Sequence, residues 1–531
     1  PAPFAVELQS AEAALARTEA AQVLASQQAD RLEQLLSRQT ASQAQYDAAF
    51  AAKKQAEAEV AGAKATRDRA KLNLNWTDVR APISGRIGRS LVTEGALVNT
   101  NRADLAGTLA TVDNRGVFGT AGNLSAVSVL NRAGGTLNVD AGHVLTTTGA
   151  AGAVNAGTAN IAGRLTGGLT NTAGATTSLR AGSQVEGTLV NQLGGTVTGS
   201  AQLSGRLVNS GSATLAGRVA LVSNAGDLDT GGDLTVDRLT SRGGGVTIGA
   251  GHQLTSTQEP VRLLGGSLAV AGTLHGAATT ARGTTTTLAG GLITGAVTNG
   301  GTLSGSGRIT GRLGNQGEIA VAAGQRLAAT GGVANGGELS IATGGVLASN
   351  VDNDGEITVS GMLDGALDNR GTAVLSGGQV TGMVTNSGAL AGEGRVGALR
   401  NLAGATLSVA AGETLIADNR VVNEGRFDLA GILAGSLDNR FGATTNLSSV
   451  GADGPLARVN GSVTNAGTIG GDGRITGNLY AQGGAYTGTN LVVDGRSNDP
   501  RIPECDYRLS RFAEGDLLTT RFPYVGAGEM R

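Results

Sequence analysis

Two different periodicities divide the chain. Between residues 4 and 75, Leu8, Leu15, Leu32, Leu35 and Leu36 recur near heptad spacing in a stretch with no Pro and a single Gly, Gly62. The rest of that stretch is mainly Ala, Gln, Glu, Leu and Arg, all strong helix formers, so it predicts long helices with a seam against a partner helix. The pattern breaks near Ser37–Ala41. Ser42-Gln43-Ala44-Gln45 then fits a capping box, with the Ser42 hydroxyl accepting from a first-turn N–H and Gln45 reaching back, so a second helix starts there. Two helices of roughly 32 residues make an antiparallel hairpin on the order of 50 Å long. After Trp76, residues 81–98 alternate apolar and polar around Pro and Gly turns and read as short strands.

From about residue 105 a unit of hydrophobic-x-Asn-x-Gly recurs, as in Leu207-Val208-Asn209-Ser210-Gly211, Leu313-Gly314-Asn315-Gln316-Gly317 and Val384-Thr385-Asn386-Ser387-Gly388. A second submotif, strand, Ala-Gly turn, strand, follows many of these units from Leu137, Ile319 and Leu407. Spacings near 18 with short strands predict a mainly β fold: a parallel β-solenoid (β-helix) in which each repeat forms one coil. Strands of about three to five residues, roughly 20 coils and a rod of roughly 100 Å are expected. Asn and Gly are expected to supply left-handed corner conformations, and stacked Asn side chains to form amide ladders between coils. The Asn register lapses between Asn224 and Asn299, which predicts irregular coils or an insertion around Gln258-Glu259-Pro260.

Composition sharpens the division. All lysines (Lys53, Lys54, Lys64, Lys71) and Trp76 fall in the first part, and no aromatic residue occurs from Gly119 to Arg426. A thin coil encloses room for one aliphatic side chain from each facing strand, which explains the scarcity. The net charge of −2 argues against nucleic acid as a partner. Cys505 is the single cysteine, so there is neither an internal disulfide nor a CxxC pair. No apolar run of about 18 residues is present. The chain opens at Pro1 without a signal-peptide pattern and reads as an internal fragment. The organisation expected is a hairpin over 1–75, a β segment and junction over 76–104, the solenoid over 105–493, and a distinct tail over 494–531. That tail carries Cys505, Tyr507, Phe512, Phe522 and Tyr524, and is either a capping segment or unrelated sequence.

Pro3-Phe4 at the hairpin start, the run from Arg31 to Asp47 at its tip and the run from Asn73 to Val98 together resemble the periplasmic adaptor (membrane fusion) proteins of tripartite RND-type efflux pumps. The resemblance implies a partial lipoyl-like domain over 76–104. It further implies that Arg31, Leu35 and Ser42, at the family's tip spacing, dock on an outer-membrane channel, with an inner-membrane RND transporter as the further partner. The preceding half-lipoyl motif and the family's later β-barrel and membrane-proximal domains are absent from the sequence. Residues 105–490 resemble filamentous haemagglutinin and autotransporter passenger solenoids, which are type V secretion cargo. That implies an adhesin-like role toward a host or cell-surface ligand. Both resemblances imply the Gram-negative envelope, in the periplasm, at the outer-membrane surface or secreted.

Catalytic and cofactor motifs are not found: there is no HExxH, GxSxG or Walker A loop. Gly392–Gly397 formally matches GxGxxG without a βαβ context, and Gly471-Asp472-Gly473 lacks the repeated Asp register of a calcium solenoid. His143 and His252 follow equivalent Ala-Gly turns and read as exposed turn residues rather than metal ligands. Asp113, Asp352, Asp368 and Asp438 each precede a repeated Asn; a solvated turn face is expected over an acidic ladder, because stacked like charges repel. A β-helix lyase or hydrolase would need clustered acidic groups and aromatic platforms that the sequence lacks. No enzyme activity and no cofactor are therefore expected. The expected role is an adhesin-like solenoid fused to an adaptor fragment, with an efflux adaptor as the alternative. The smooth join over residues 100–111 predicts a chimera, which sequencing the DNA across residues 95–115 tests.

Overall fold

The computed structural model describes residues 2–77, 103–448, 457–488 and 490–499. The chain divides into two compact units, Pro1–Ser90 and Leu91–Arg531. Most of the β segment expected over 76–104 and of the tail expected over 494–531, including Cys505, lies outside the described residues.

In the first unit, α1 (Ala2–Ser37) and α2 (Gln43–Asn75) form the hairpin. Buried and half-buried positions alternate by three and four along both helices: Leu8, Ala11, Leu15, Thr18, Gln22, Ala25, Ala29, Leu32 and Leu36 on α1, and Tyr46, Ala49, Lys53, Ala56, Val60, Ala63, Arg67, Ala70 and Leu74 on α2. This is a heptad seam filled mostly by alanine, so the helices pack through small side chains. Of the expected leucines, Leu35 lies off the seam, 36% exposed. Two polar seam residues find partners: Thr18 Oγ1 donates to the Leu15 carbonyl at 2.9 Å, and Lys53 reaches Asp30 across the hairpin at 3.1 Å. α1 ends in a Schellman arrangement. Gln39 takes a left-handed φ of 58°, its N–H donates to Leu36 O at 2.9 Å, and the Thr40 N–H donates to Leu35 O at 2.9 Å.

The second unit is the parallel β-solenoid, of about 21 turns. Every pairing between its described strands is parallel. A typical coil runs Leu313–Asn315, Glu318–Val321 and Arg326–Ala329 before Val333 begins the next. Inward positions stack by residue type. Leu313, Val333, Val351 and Leu367 form one column, and Ile319, Leu339 and Ile357 another, all essentially inaccessible. Phe427 is fully buried and stacks between Leu407 and Thr445, where the smaller Thr445 makes room for its ring. Alongside strands of three or four residues the solenoid contains several much longer ones, such as Val117–Asn131 and Thr372–Asn386, that keep their ladder pairing around a corner. The expectation of uniformly short strands is corrected there.

The repeated Asn does not occupy a left-handed corner. Gln39 is the one non-glycine with positive φ among the described residues, and the repeated Asn side chains turn into the core, where most are wholly buried. Asn315 Nδ2 donates to Asn335 Oδ1 at 2.7 Å, to Glu338 O at 2.9 Å and to Gly317 O at 3.1 Å. The same links run from Asn114 to Asn224 and from Asn299 to Asn465, for example Asn131 to Asn155 at 2.6 Å and Asn386 to Asn401 at 2.8 Å. A buried amide is thus fully partnered, the condition under which it costs little. Between the two ladders the coils continue in register, with Ser241, Leu263 and Thr280 in the Asn slot. The lapse is therefore substitution within regular coils rather than an insertion.

The Gly of Asn-x-Gly has a different reason again. A Cβ at Gly337 would press on the Gly317 carbonyl, and one at Gly355 on the Gly337 carbonyl; the coils approach too closely there for any side chain. Positive φ occurs instead at other glycines, among them those of the Ala-Gly turns, as at Gly142 (80°) and Gly324 (75°).

Candidate partner-binding site

The sequence-derived site residues come together at the hairpin tip. Arg31 and Leu35 lie one turn apart on the last two turns of α1, on an exposed face. Ser42 caps α2: its backbone is extended, its Oγ accepts from the Gln45 N–H at 3.3 Å, and its own N–H donates to Gln45 Oε1 at 3.0 Å. The reciprocal box fixes where α2 begins, and the Schellman turn fixes where α1 stops, so the tip is rigid over only five connecting residues. Arg31 makes no ion pair among the described residues, which leaves its guanidinium available for a bidentate acceptor. Leu35 adds an apolar contact one turn away.

Nearby, Ala25, Gln28, Leu32, Gln45, Ala48, Ala49 and Ala52 line an open groove between the helices. The sequence reading did not single out this groove; its signal is the Ala at positions flanking the seam. Farther along, Asp30 raises the Lys53 ammonium above its ordinary range by hydrogen bonding.

On the solenoid the other candidates are structural. Gly392–Gly397 lies inside the strand Ala389–Asn401, where a Cβ at Gly392 would meet the Leu375 carbonyl. There is no helix N-terminus there to hold a phosphate. Asp472 Oδ1 accepts from the Asn490 N–H at 2.9 Å, and no group of metal-ligating side chains is found among the described residues.

His143 and His252 are half-buried, not exposed as expected, and repeat one motif. Each ring Nδ1 faces a carbonyl, Thr120 O at 2.6 Å and Thr230 O at 2.7 Å. A carbonyl only accepts, so Nδ1 carries the proton in both. Thr120 and Thr230 hydroxyls in turn accept from the Asp140 and Gly249 N–H groups. The two rings are about six coils, roughly 30 Å, apart along the stack and share no ligand.

The Asp residues before the repeated Asn each pair with arginine, and of the four only Asp352 and Asp368 stack directly in neighbouring coils. Asp113 meets Arg132 at 2.9 Å, Asp352 meets Arg312 at 3.4 Å, Asp368 meets Arg370 at 3.3 Å and Asp438 meets Arg440 at 2.9 Å. Hydrogen bonding from Arg132 holds the Asp113 carboxyl below the usual carboxylate range.

Residues 7–77 match the family described as RND MFP, alpha-helical hairpin domain. Over 113 residues, 21% of this chain, the sequence is 43% identical to the multidrug export protein AcrE of Escherichia coli K12 and covers 29% of that protein. Over the same length it is 42% identical to the multidrug efflux pump subunit AcrA of E. coli K12, covering 28% of it. It is also 42% identical over 113 residues to the multidrug resistance protein MexA of Pseudomonas aeruginosa, covering 26% of it. The chain thus spans less than a third of the length of these relatives. No solved structure matches it. The N-terminal hairpin thus resembles the RND adaptor hairpin domain, and the described residues from 103 to 499 form a β-solenoid.

Proposed function

We propose that this chain is a non-enzymatic component of the Gram-negative cell envelope whose hairpin tip docks on an outer-membrane channel, while its solenoid serves as an extended, adhesin-like binding face. The observation that carries the docking reading is the tip itself: Arg31, Leu35 and Ser42 within a family-matched hairpin, with the guanidinium and the leucine turned outward. An exposed Arg beside an exposed apolar side chain suits a partner that offers backbone carbonyls or carboxylates around a small apolar pocket. As in the pumps to which the relatives belong, an inner-membrane RND transporter is the second expected partner. No helix among the described residues is long and apolar enough to cross a membrane.

The adhesin-like reading rests on the division of labour within each coil. Inward positions are held to aliphatic residues and Asn, whereas outward ones vary among Thr, Ser, Asp, Glu, Arg and Gly, so the outer face is open to ligand-specific chemistry without disturbing the core. Adhesion of cells displaying the chain, compared with cells lacking it, tests this second reading.

For docking, Arg31→Glu and Ser42→Asp are made in the full chain. Ser42→Asp keeps an N-cap acceptor while changing the tip surface, so helix content stays unchanged. Both variants are expected to reduce co-purification with an outer-membrane channel at least tenfold, the scale of about 1.4 kcal/mol or more for a lost charge-assisted contact. Unchanged co-purification with both variants overturns the docking role.

A further inference from the structure

The chain contains three Asn-Gly pairs, at 299–300, 335–336 and 460–461. Such a pair is chemically exposed to self-attack, because a glycine without a Cβ lets its backbone nitrogen approach the preceding side-chain carbonyl carbon. Two of the three are locked. Asn299 is buried and its Nδ2 donates to Gly301 O, Asn315 Oδ1 and Glu318 O at 2.8–3.0 Å, while the Gly300 N–H donates to Thr280 O at 2.9 Å. Asn335 is held likewise by Gly337 O, Asn353 Oδ1 and Glu356 O, with the Gly336 N–H donating to Asn315 O at 2.8 Å. In both pairs the attacking nitrogen and the amide it would attack are tied into different coils.

Asn460 differs on every count. It is exposed at the corner between the strands Ala457–Val459 and Val463–Asn465. Its backbone N–H donates to Leu433 O at 2.7 Å, but among the described residues its side chain and the Gly461 N–H make no hydrogen bond. Gly461 itself is imposed by the fold, since a Cβ there would press on the Gly435 backbone. The same close approach recurs at Gly311, Gly382 and Gly477. Each of those follows a threonine, Thr310, Thr381 and Thr476, which has no amide to react.

We propose that Asn460 is a spontaneous modification site at which the folded solenoid ages by deamidation. The Gly461 nitrogen attacks the Asn460 Cγ, forming a C–N bond as the Cγ–Nδ2 bond breaks; the nitrogen gives up its proton and ammonia leaves. Water then opens the resulting succinimide at either carbonyl, giving aspartate or isoaspartate at position 460. No oxidant or cofactor enters. Both products add a negative charge. Isoaspartate also inserts an extra carbon into the main chain at a corner where Gly461 O accepts from the Gly477 N–H at 3.1 Å and Ser462 O accepts from the Leu437 N–H at 3.0 Å. Modification therefore loosens stacking toward the coils on both sides.

The full chain is incubated at mildly alkaline pH, folded and in urea, and its peptides are mapped by mass spectrometry for isoaspartate. In the folded chain, product at 460 is expected to form more than about tenfold faster than at 299 or 335, which react only through local opening. In urea the three rates converge, and Asn460→Gln removes the product at 460 in both conditions. Equal rates at the three sites in the folded chain overturn the proposal. So does an unmodified Asn460 in the folded chain when the urea-treated chain reacts.

Discussion

A buried threonine shows how closely each inward side chain depends on the Asn slot of its own coil. Thr177 Oγ1 donates to Asn171 Oδ1 at 2.9 Å and Thr445 Oγ1 to Asn439 Oδ1 at 3.0 Å, both six residues back. Thr286 sits at the equivalent place, but six residues back stands Thr280, whose hydroxyl donates instead to Asn299 Oδ1 at 3.0 Å. The Thr286 hydroxyl is left buried without a partner. An unpartnered buried hydroxyl costs about 1–3 kcal/mol, while a satisfied one contributes about 1 kcal/mol. Valine matches the shape of threonine without the hydroxyl. Thr286→Val is therefore expected to stabilise the solenoid by about 1 kcal/mol and Thr177→Val to destabilise it by a similar amount, read from the denaturant midpoint of the β-sheet signal. Equal effects of the two substitutions would refute this account. The repeated Asn was legible in the sequence as a ladder, because its spacing followed the coil. Its inward orientation was not, since Asn in a turn-like context carries the same letters as Asn at the buried end of a strand.

At the scale of the element, glycine has two separate uses in the coil, and the sequence shows only that it is frequent. In Ala-Gly turns the constraint is backbone conformation; in Asn-x-Gly it is the distance to the coil below. Substitution tells them apart. At Gly337, a Cβ would run into the Gly317 carbonyl, and backbone has nowhere to move in a stacked ladder. At Gly116, in the same motif one turn into the described solenoid, nothing lies within 4 Å of a Cβ and no positive φ is required. Gly337→Ala is expected to cost about 2–3 kcal/mol, whereas Gly116→Ala is neutral or slightly stabilising through the unfolded chain. Comparable losses at both positions, measured by denaturant unfolding of the full chain, would mean that conformation rather than coil spacing selects these glycines. The hairpin was more readily legible. Its capping box and heptad seam are local patterns, and local patterns survive without knowledge of what stacks on them. What the sequence concealed was that Leu35 leaves the seam. Successive helix residues point about 100° apart, so Leu35 stands at the edge of the narrow two-helix seam that Leu32 and Leu36 occupy.

At the scale of the whole solenoid, stability is a sum over coils and the interfaces between them, so the interval between the two Asn ladders is where the stack should open first. Asn224 still donates to Ser241 Oγ at 3.2 Å, and Thr280 to Asn299. Leu263 between them has no side-chain hydrogen bond to offer either neighbour. Two ladder links, each worth about 1 kcal/mol net, are missing, and the orphaned Thr286 hydroxyl adds its penalty. Against this, Leu263 is completely buried and returns about 2 kcal/mol relative to an exposed side chain. The balance leaves these coils weaker than their neighbours by about 1–3 kcal/mol, a difference that hydrogen exchange resolves. Amides of Val261–Leu263 and Ala278–Thr280 are expected to exchange roughly tenfold faster than those of Leu313–Asn315 and Val333–Asn335, which carry the unbroken ladder. In Thr286→Val the contrast should shrink, because the penalty disappears while the missing links remain. If both sets exchange alike in the unmodified chain, Leu263 burial fully replaces the ladder, and the Asn column then governs how coils align rather than how firmly they hold.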